Sequence, residues 1–114
     1  MQPIKIKNLF DGVKAGLTEE LTTILVERTI HGAMKIERIV SPRDYRCRDG
    51  FWFDQEEDEF VLVVRGKAGL RFQQKQDEVM ELHAGDFVVI AAHEKHRVEW
   101  TCSEEETVWL CVFY

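Results

Sequence analysis

The sequence lacks most of the signals that mark a membrane, secreted or nucleic-acid-binding chain. No apolar run approaches the roughly 18 residues that a membrane-spanning helix needs, so no membrane partner is expected. The opening segment MQPIKIKNLF has neither the apolar stretch nor the small-residue cleavage site of a secretory leader. Only two prolines and seven glycines are present, without a linker, a repeat or a low-complexity tract. A single domain spanning 1–114 is therefore expected. Basic charge is in deficit: 15 Lys and Arg against 21 Asp and Glu give a net charge of −6. The basic residues are scattered, so a counterion-releasing stripe is missing and nucleic acid is excluded as an expected partner. Three cysteines, Cys47, Cys102 and Cys111, make an odd count with no Cys-x-x-Cys spacing. That pattern argues against a disulfide framework and a thiolate zinc centre, and it predicts buried, reduced thiols in a cytoplasmic protein.

Long 3.6-residue periodicity is missing too. In its place stand short β-branched and aromatic runs, punctuated by turn residues. Thr18, followed by Glu19, Glu20 and Leu21, is suited to cap one short N-terminal helical turn. Thr22 to Ile30 and Met34 to Val40 read as strands, and the His31-Gly32 break between them predicts a hairpin. Further strands are predicted over 60–65, 68–72, 79–82, 87–91, 96–101 and 107–113, with polar turns at Gln73–Glu78 and Ser103–Glu106. Many short strands at close spacing define an all-β sandwich or barrel.

Two stretches go beyond generic strand patterning. In the first, residues 50–66, Glu59 leads into an apolar strand and is separated by six residues from Gly66. In the second, residues 85–100, Gly85-Asp86 opens a strand that ends in Ala92-His93-Glu94-Lys95-His96-Arg97-Val98. Together they resemble the two motifs of the cupin family, and the whole chain resembles small single-domain bacterial cupins. The resemblance implies a double-stranded β-helix, a jelly-roll barrel with a pocket at one end. It also implies one divalent metal ion, held in metal-dependent cupins by two histidines and a glutamate of motif one and a histidine of motif two.

Carried over residue by residue, Glu59 and His96 match that ligand set. The motif-one histidine pair falls on Phe53 and Gln55, or on Trp52 and Asp54, depending on the count before Glu59. One member of each pair is aromatic, leaving Gln55 or Asp54 as an oxygen donor. The motif-two proline and glycine are replaced by Ala91 and His93. Alternation along an extended strand puts Gln55 on the face of Glu59, whereas Asp54 needs a bulge to join it. The candidate metal set is thus Glu59, His96, Gln55, Asp54 and His93, which suits Zn, Fe, Mn or Ni without choosing among them. His93 is more simply read as a surface turn residue.

Two functions remain open at this point. One is a metal-dependent cupin acting on a small organic ligand, as an oxygenase or isomerase; the other is a metal-free binding or sensing module in which His96 satisfies Glu59. The missing histidine pair favours the second. Trp52, Phe53, Arg97 and Trp100 are candidate substrate contacts, although large aromatics such as Trp109, Phe113 and Tyr114 are more often core or subunit contact. The acidic runs Glu56-Glu57-Asp58 and Glu104-Glu105-Glu106 read as solvated turns without a functional role. Pairing through outer strands predicts a homodimer.

Overall fold

The computed structural model describes residues 3–75 and 78–114. Its strands are β1 (Leu21–Arg28), β2 (Met34–Ser41), β3 (Glu59–Arg65), β4 (Lys67–Phe72), β5 (Glu78–His83), β6 (Phe87–Ile90), β7 (His96–Thr101) and β8 (Thr107–Phe113). All pairings are antiparallel, in a five-stranded sheet of order β1-β2-β8-β3-β6 and a three-stranded sheet of order β5-β4-β7. The result is a jelly-roll barrel, and the all-β double-stranded β-helix read from the sequence is the observed fold. No helix among the described residues is long and apolar enough to cross a membrane.

The expected helical turn at Thr18 is absent. Residues 18–19 form a bend, because Glu20 reaches across to the Ser41 hydroxyl and draws the chain directly into β1. Among the described residues a single 3₁₀ turn occurs elsewhere, at Gln73–Lys75, inside the predicted polar turn. Gln76 and Asp77 of that turn lie outside the described residues. The β1–β2 hairpin turns where predicted, with His31 and Gly32 both at positive φ, 57° and 88°.

Strand alternation builds the interior. From the larger sheet, Val61, Val63, Trp109 and Cys111 face inward; from the smaller, Ala68, Leu70, Phe72, Leu82 and Val98 meet them. All three cysteines are buried and free, in keeping with the sequence reading. Gly66, the glycine of motif one, sits at φ +88° and packs against the backbone of β8. A Cβ there would lie 3.0 Å from the Thr107 Cα and 2.7 Å from its Oγ1. Gly66→Ala therefore combines a left-handed backbone with a steric clash, and denaturant titration is expected to show a loss of at least about 1–3 kcal/mol.

The N-terminal segment lies along the barrel instead of joining a sheet. Arg38 of β2 donates to the carbonyls of Leu9, at 3.0 Å, and Asp11. Glu106 accepts from the amide of Gly16 at 3.1 Å and faces Arg43 at 3.6 Å. Glu106 is buried, so the reading of its acidic run as a purely solvated turn is corrected at this residue. The carboxylate is held inward because it supplies an acceptor that the N-terminal backbone requires.

Candidate functional site

A cavity of about 320 Å³ opens between the two sheets. Its floor is set by the start of β3 and the start of β7. Glu59 is buried and opens β3, and a staple fixes the turn before it. Asp58 exchanges backbone hydrogen bonds with Tyr114, at 2.9 and 3.0 Å, while its side chain accepts from the Ala92 amide at 2.9 Å. His96 is likewise buried and opens β7. An isolated bridge joins it to Phe53: the Phe53 amide donates to the His96 carbonyl at 2.7 Å, and the reverse bond is 3.2 Å. The Phe53 ring stacks on the imidazole with centroids 5.4 Å apart.

The polar contacts at this floor are closely matched. Gln55 Nε2 donates to Glu59 Oε1 at 2.8 Å, and His96 Nε2 stands 3.3 Å from the same oxygen. The other imidazole nitrogen, Nδ1, lies 2.9 Å from the Glu94 carbonyl. A carbonyl only accepts, so Nδ1 carries a proton and Nε2 is the nitrogen that meets Glu59. At 3.3 Å the two stand at ion-pair distance, and the contact is an ion pair whenever Nε2 also carries a proton. Cys111 on β8 adds a third contact, its thiol donating to Glu59. Burial pushes this thiol well above its ordinary range, and the neighbouring Glu59 charge pushes it further, so Cys111 stays protonated.

The walls follow from the period of two. Lys35, Glu37 and Ile39 project from β2, and Trp109, Cys111 and Phe113 from β8. In the β2–β8 register Phe113 is paired with Lys35 and Cys111 with Glu37. Trp109 donates its indole N–H to Ser41 Oγ at 2.9 Å, which fixes the ring against the cavity. Glu20 completes one side. Burial raises its carboxyl above the ordinary value, while hydrogen bonds from Ser41 and Tyr45 oppose the shift. A folded-state value above the unfolded one means that folding binds a proton, so this residue's contribution to stability is fullest at low pH. It is lost as pH rises from about 4.5 through the raised value. Glu20→Gln is thus expected to flatten the stability profile across that range, improving stability at pH 7 relative to pH 4 in urea titrations at the two values.

The sequence candidates separate into two groups. Glu59, His96, Gln55 and Phe53 come together at the cavity. Asp54 and His93 do not: they pair with each other at 2.8 Å on the exposed side of the loop. His93, at φ +63°, is a turn residue. Trp52, Arg97 and Trp100 also lie outside the cavity lining. Alternation on β7 sends His96 and Val98 inward and Arg97 outward, where its guanidinium lies over the Trp52 ring and beside Glu99. Trp100 covers Gly69, where a Cβ would come within 2.2 Å of its Nε1. The residues that sequence reasoning missed are Glu20, Lys35, Glu37, Cys111 and Glu57, the last of which lines the cavity although its acidic run reads as a solvated turn without a role. Alternation with Ile39 was the available signal for Lys35 and Glu37.

Residues 51–113 match the cupin domain family. The chain belongs to the cupins. It is 39% identical to a protein from Ralstonia eutropha named as a candidate mannose-6-phosphate isomerase, over 96% of this chain and 97% of that one, with a TM-score of 0.87. A cupin superfamily protein from Desulfitobacterium hafniense shares the fold at 16% identity and TM-score 0.70, over 89% of this chain and 82% of that one. The polyketide cyclase RemF from Streptomyces resistomycificus does so at 19% identity and TM-score 0.71, over 97% and 79%. No functionally curated protein matches the chain.

Cupins often bind a metal, and the donor set here can be tested for it. Glu59 and His96 converge, but Phe53 occupies the wall where a third imidazole would be needed, and Asp54 and His93 face away. Among the described residues no group of three or more His, Cys, Asp or Glu is placed to hold a metal ion. One imidazole and one carboxylate fall short of the three protein ligands that a typical catalytic zinc centre uses. The residues present do not fit a resident metal.

Proposed function

We propose that this cupin binds a small organic molecule between its sheets, with the Glu59–His96 pair as the polar floor and no resident metal. The observation that carries this reading is the closed bonding of Glu59, whose carboxylate already receives Gln55, His96 and Cys111. A buried carboxylate with these partners needs no cation to offset its burial. Aromatic and aliphatic walls, Phe53, Trp109, Phe113, Ile39 and Leu70, supply the apolar area that a ligand would bury.

The test is elemental analysis of untagged protein after dialysis against Fe(II), Mn(II), Zn(II) and Ni(II) in turn. Well below one equivalent is expected for each. Close to one equivalent of any of them, lost in Glu59→Gln, would overturn the metal-free reading.

We also propose that two copies pair through β1. Among the described residues this edge strand leaves one side of its backbone unpaired, and it exposes Ile24, Leu25 and Val26 along it. A strand added by a second copy would cover both. Sedimentation is expected to show a dimer that Val26→Lys weakens; a wild-type monomer at tens of micromolar, about the range where weak dimers form, would contradict the pairing.

A further inference from the structure

The cavity's charge is one-sided. Glu20, Glu37, Glu57 and Glu59 line it, and among the described residues no arginine does; apart from His96, which Glu59 takes up, the cationic side chain in the lining is Lys35. That ammonium is already committed, 3.5 Å from Glu37 and 4.9 Å from the centre of the Phe113 ring. Lys35 thus occupies a seat made of a carboxylate and an aromatic face, which is the pairing that recognises ammonium groups. Glu37 is the telling member. Its side chain is only 11% exposed, and among the described residues its side-chain partner is Lys35, in a loose ion pair. Glu59, by contrast, is fully partnered. A nearly buried carboxylate facing an open cavity and held by one distant donor is a site where an incoming cation can take the place of Lys35.

We propose that the ligand of the cavity is a small organic cation, a protonated amine on an apolar body, held by Glu37 and Glu57 with its body against Phe113 and Trp109. This rests on the ligand-binding reading above and narrows it. Phosphorylated sugars, the substrate class in the name of the Ralstonia relative, are poorly suited to this cavity. Their dianionic group would meet carboxylates on several sides and find no arginine fork. Lys35 acts as an internal placeholder for the ligand's ammonium, and a bound amine displaces it toward solvent.

Benzylamine, benzyl alcohol and benzoate share one ring and differ in charge, so they separate the effect of charge from that of burial. Each would be titrated into ¹⁵N-labelled protein at neutral pH and low salt, reading the Trp109 indole signal and the backbone amides of β2 and β8. Benzylamine is expected to bind about tenfold more tightly than either of the others. Glu37→Gln should remove that preference, whereas Lys35→Met should strengthen amine binding by vacating the seat. Equal binding of the alcohol would overturn the cation inference while leaving the cavity reading intact. Preferential binding of benzoate, lost in Lys35→Met, would overturn it in favour of an anion. No response to any of the three at millimolar concentration would also overturn it. Failure of the metal-free reading is registered separately, by stoichiometric metal in the elemental analysis.

Discussion

Replacing His96 by alanine is expected to cost the fold about 3 kcal/mol, at the lower end of the 3–5 kcal/mol for breaking a buried ion pair. The Glu59 and His96 side chains are only 7% and 6% exposed. Removing the imidazole takes away the ion-pair partner that faces Glu59 at 3.3 Å, and it also removes the ring that stacks on Phe53. The cavity moderates the loss, since water can enter and solvate the exposed carboxylate. Glu59→Gln should be milder, because an amide of the same shape can still serve one of the two partners that meet at Oε1, accepting from Gln55 with its oxygen or donating to His96 Nε2 with its nitrogen. A double-mutant cycle on Glu59→Gln and His96→Ala separates these contributions. Coupling below about 0.5 kcal/mol would mean that the two residues are neighbours without being partners. Thermal unfolding of His96→Ala should fall by roughly 10 °C or more.

Trp109→Ala is expected to have an effect of the same order. Trp109 is 3% exposed, contacts the core on one side and walls the cavity on the other. Truncating a buried tryptophan costs about 3–5 kcal/mol in an otherwise closed core. Here one face of the ring already borders open space, which places the loss near the bottom of that range. Ser41 loses its indole donor as well, and Ser41 is the residue that draws Glu20 into place. The alanine variant should therefore lose stability and loosen the Glu20 side of the cavity together. Trp109→Phe, which fills much of the volume without the N–H, is expected to recover more than half of the stability but not the anchoring of Ser41. Equilibrium urea titration gives the stabilities, and the exchange rate of the amides at the start of β1 reports the anchoring.

Much of the fold was legible because its strands are short, rich in β-branched residues and separated by turn residues whose chemistry is local. His31-Gly32 and Gly66 announce turns by backbone requirement alone, and the structure places all three at positive φ. The Thr18 turn was misread because capping propensity is weak against a long-range hydrogen bond. Glu20 finds Ser41, 21 residues away, and no local rule reports that.

The site was legible only where a motif pointed at it. Glu59 and His96 carried the resemblance, and Gln55 followed from alternation with Glu59. Asp54 and His93 were drawn in by residue type, yet the turn that holds them faces solvent and they satisfy each other. Arg97 stands between inward His96 and Val98, which on a strand places it on the opposite face, whereas Trp100 shares their parity and is turned away by the register shift between Gly69 and Leu70. Lys35, Glu37 and Cys111 stayed hidden because their importance depends on β2 and β8 lying side by side, a register set by distant parts of the chain.

The central claim is that a proton, and not a metal ion, joins His96 to Glu59. Nuclear magnetic resonance of the ¹⁵N-labelled imidazole reads this directly in wild-type protein as purified and again after addition of Mn(II), Fe(II), Zn(II) or Ni(II). The prediction is a proton on Nδ1 and an exchange-protected proton shared between Nε2 and Glu59, lost in Glu59→Gln and unmoved by added metal. An Nε2 without that proton, whose resonance shifts or broadens with one equivalent of metal, would contradict it.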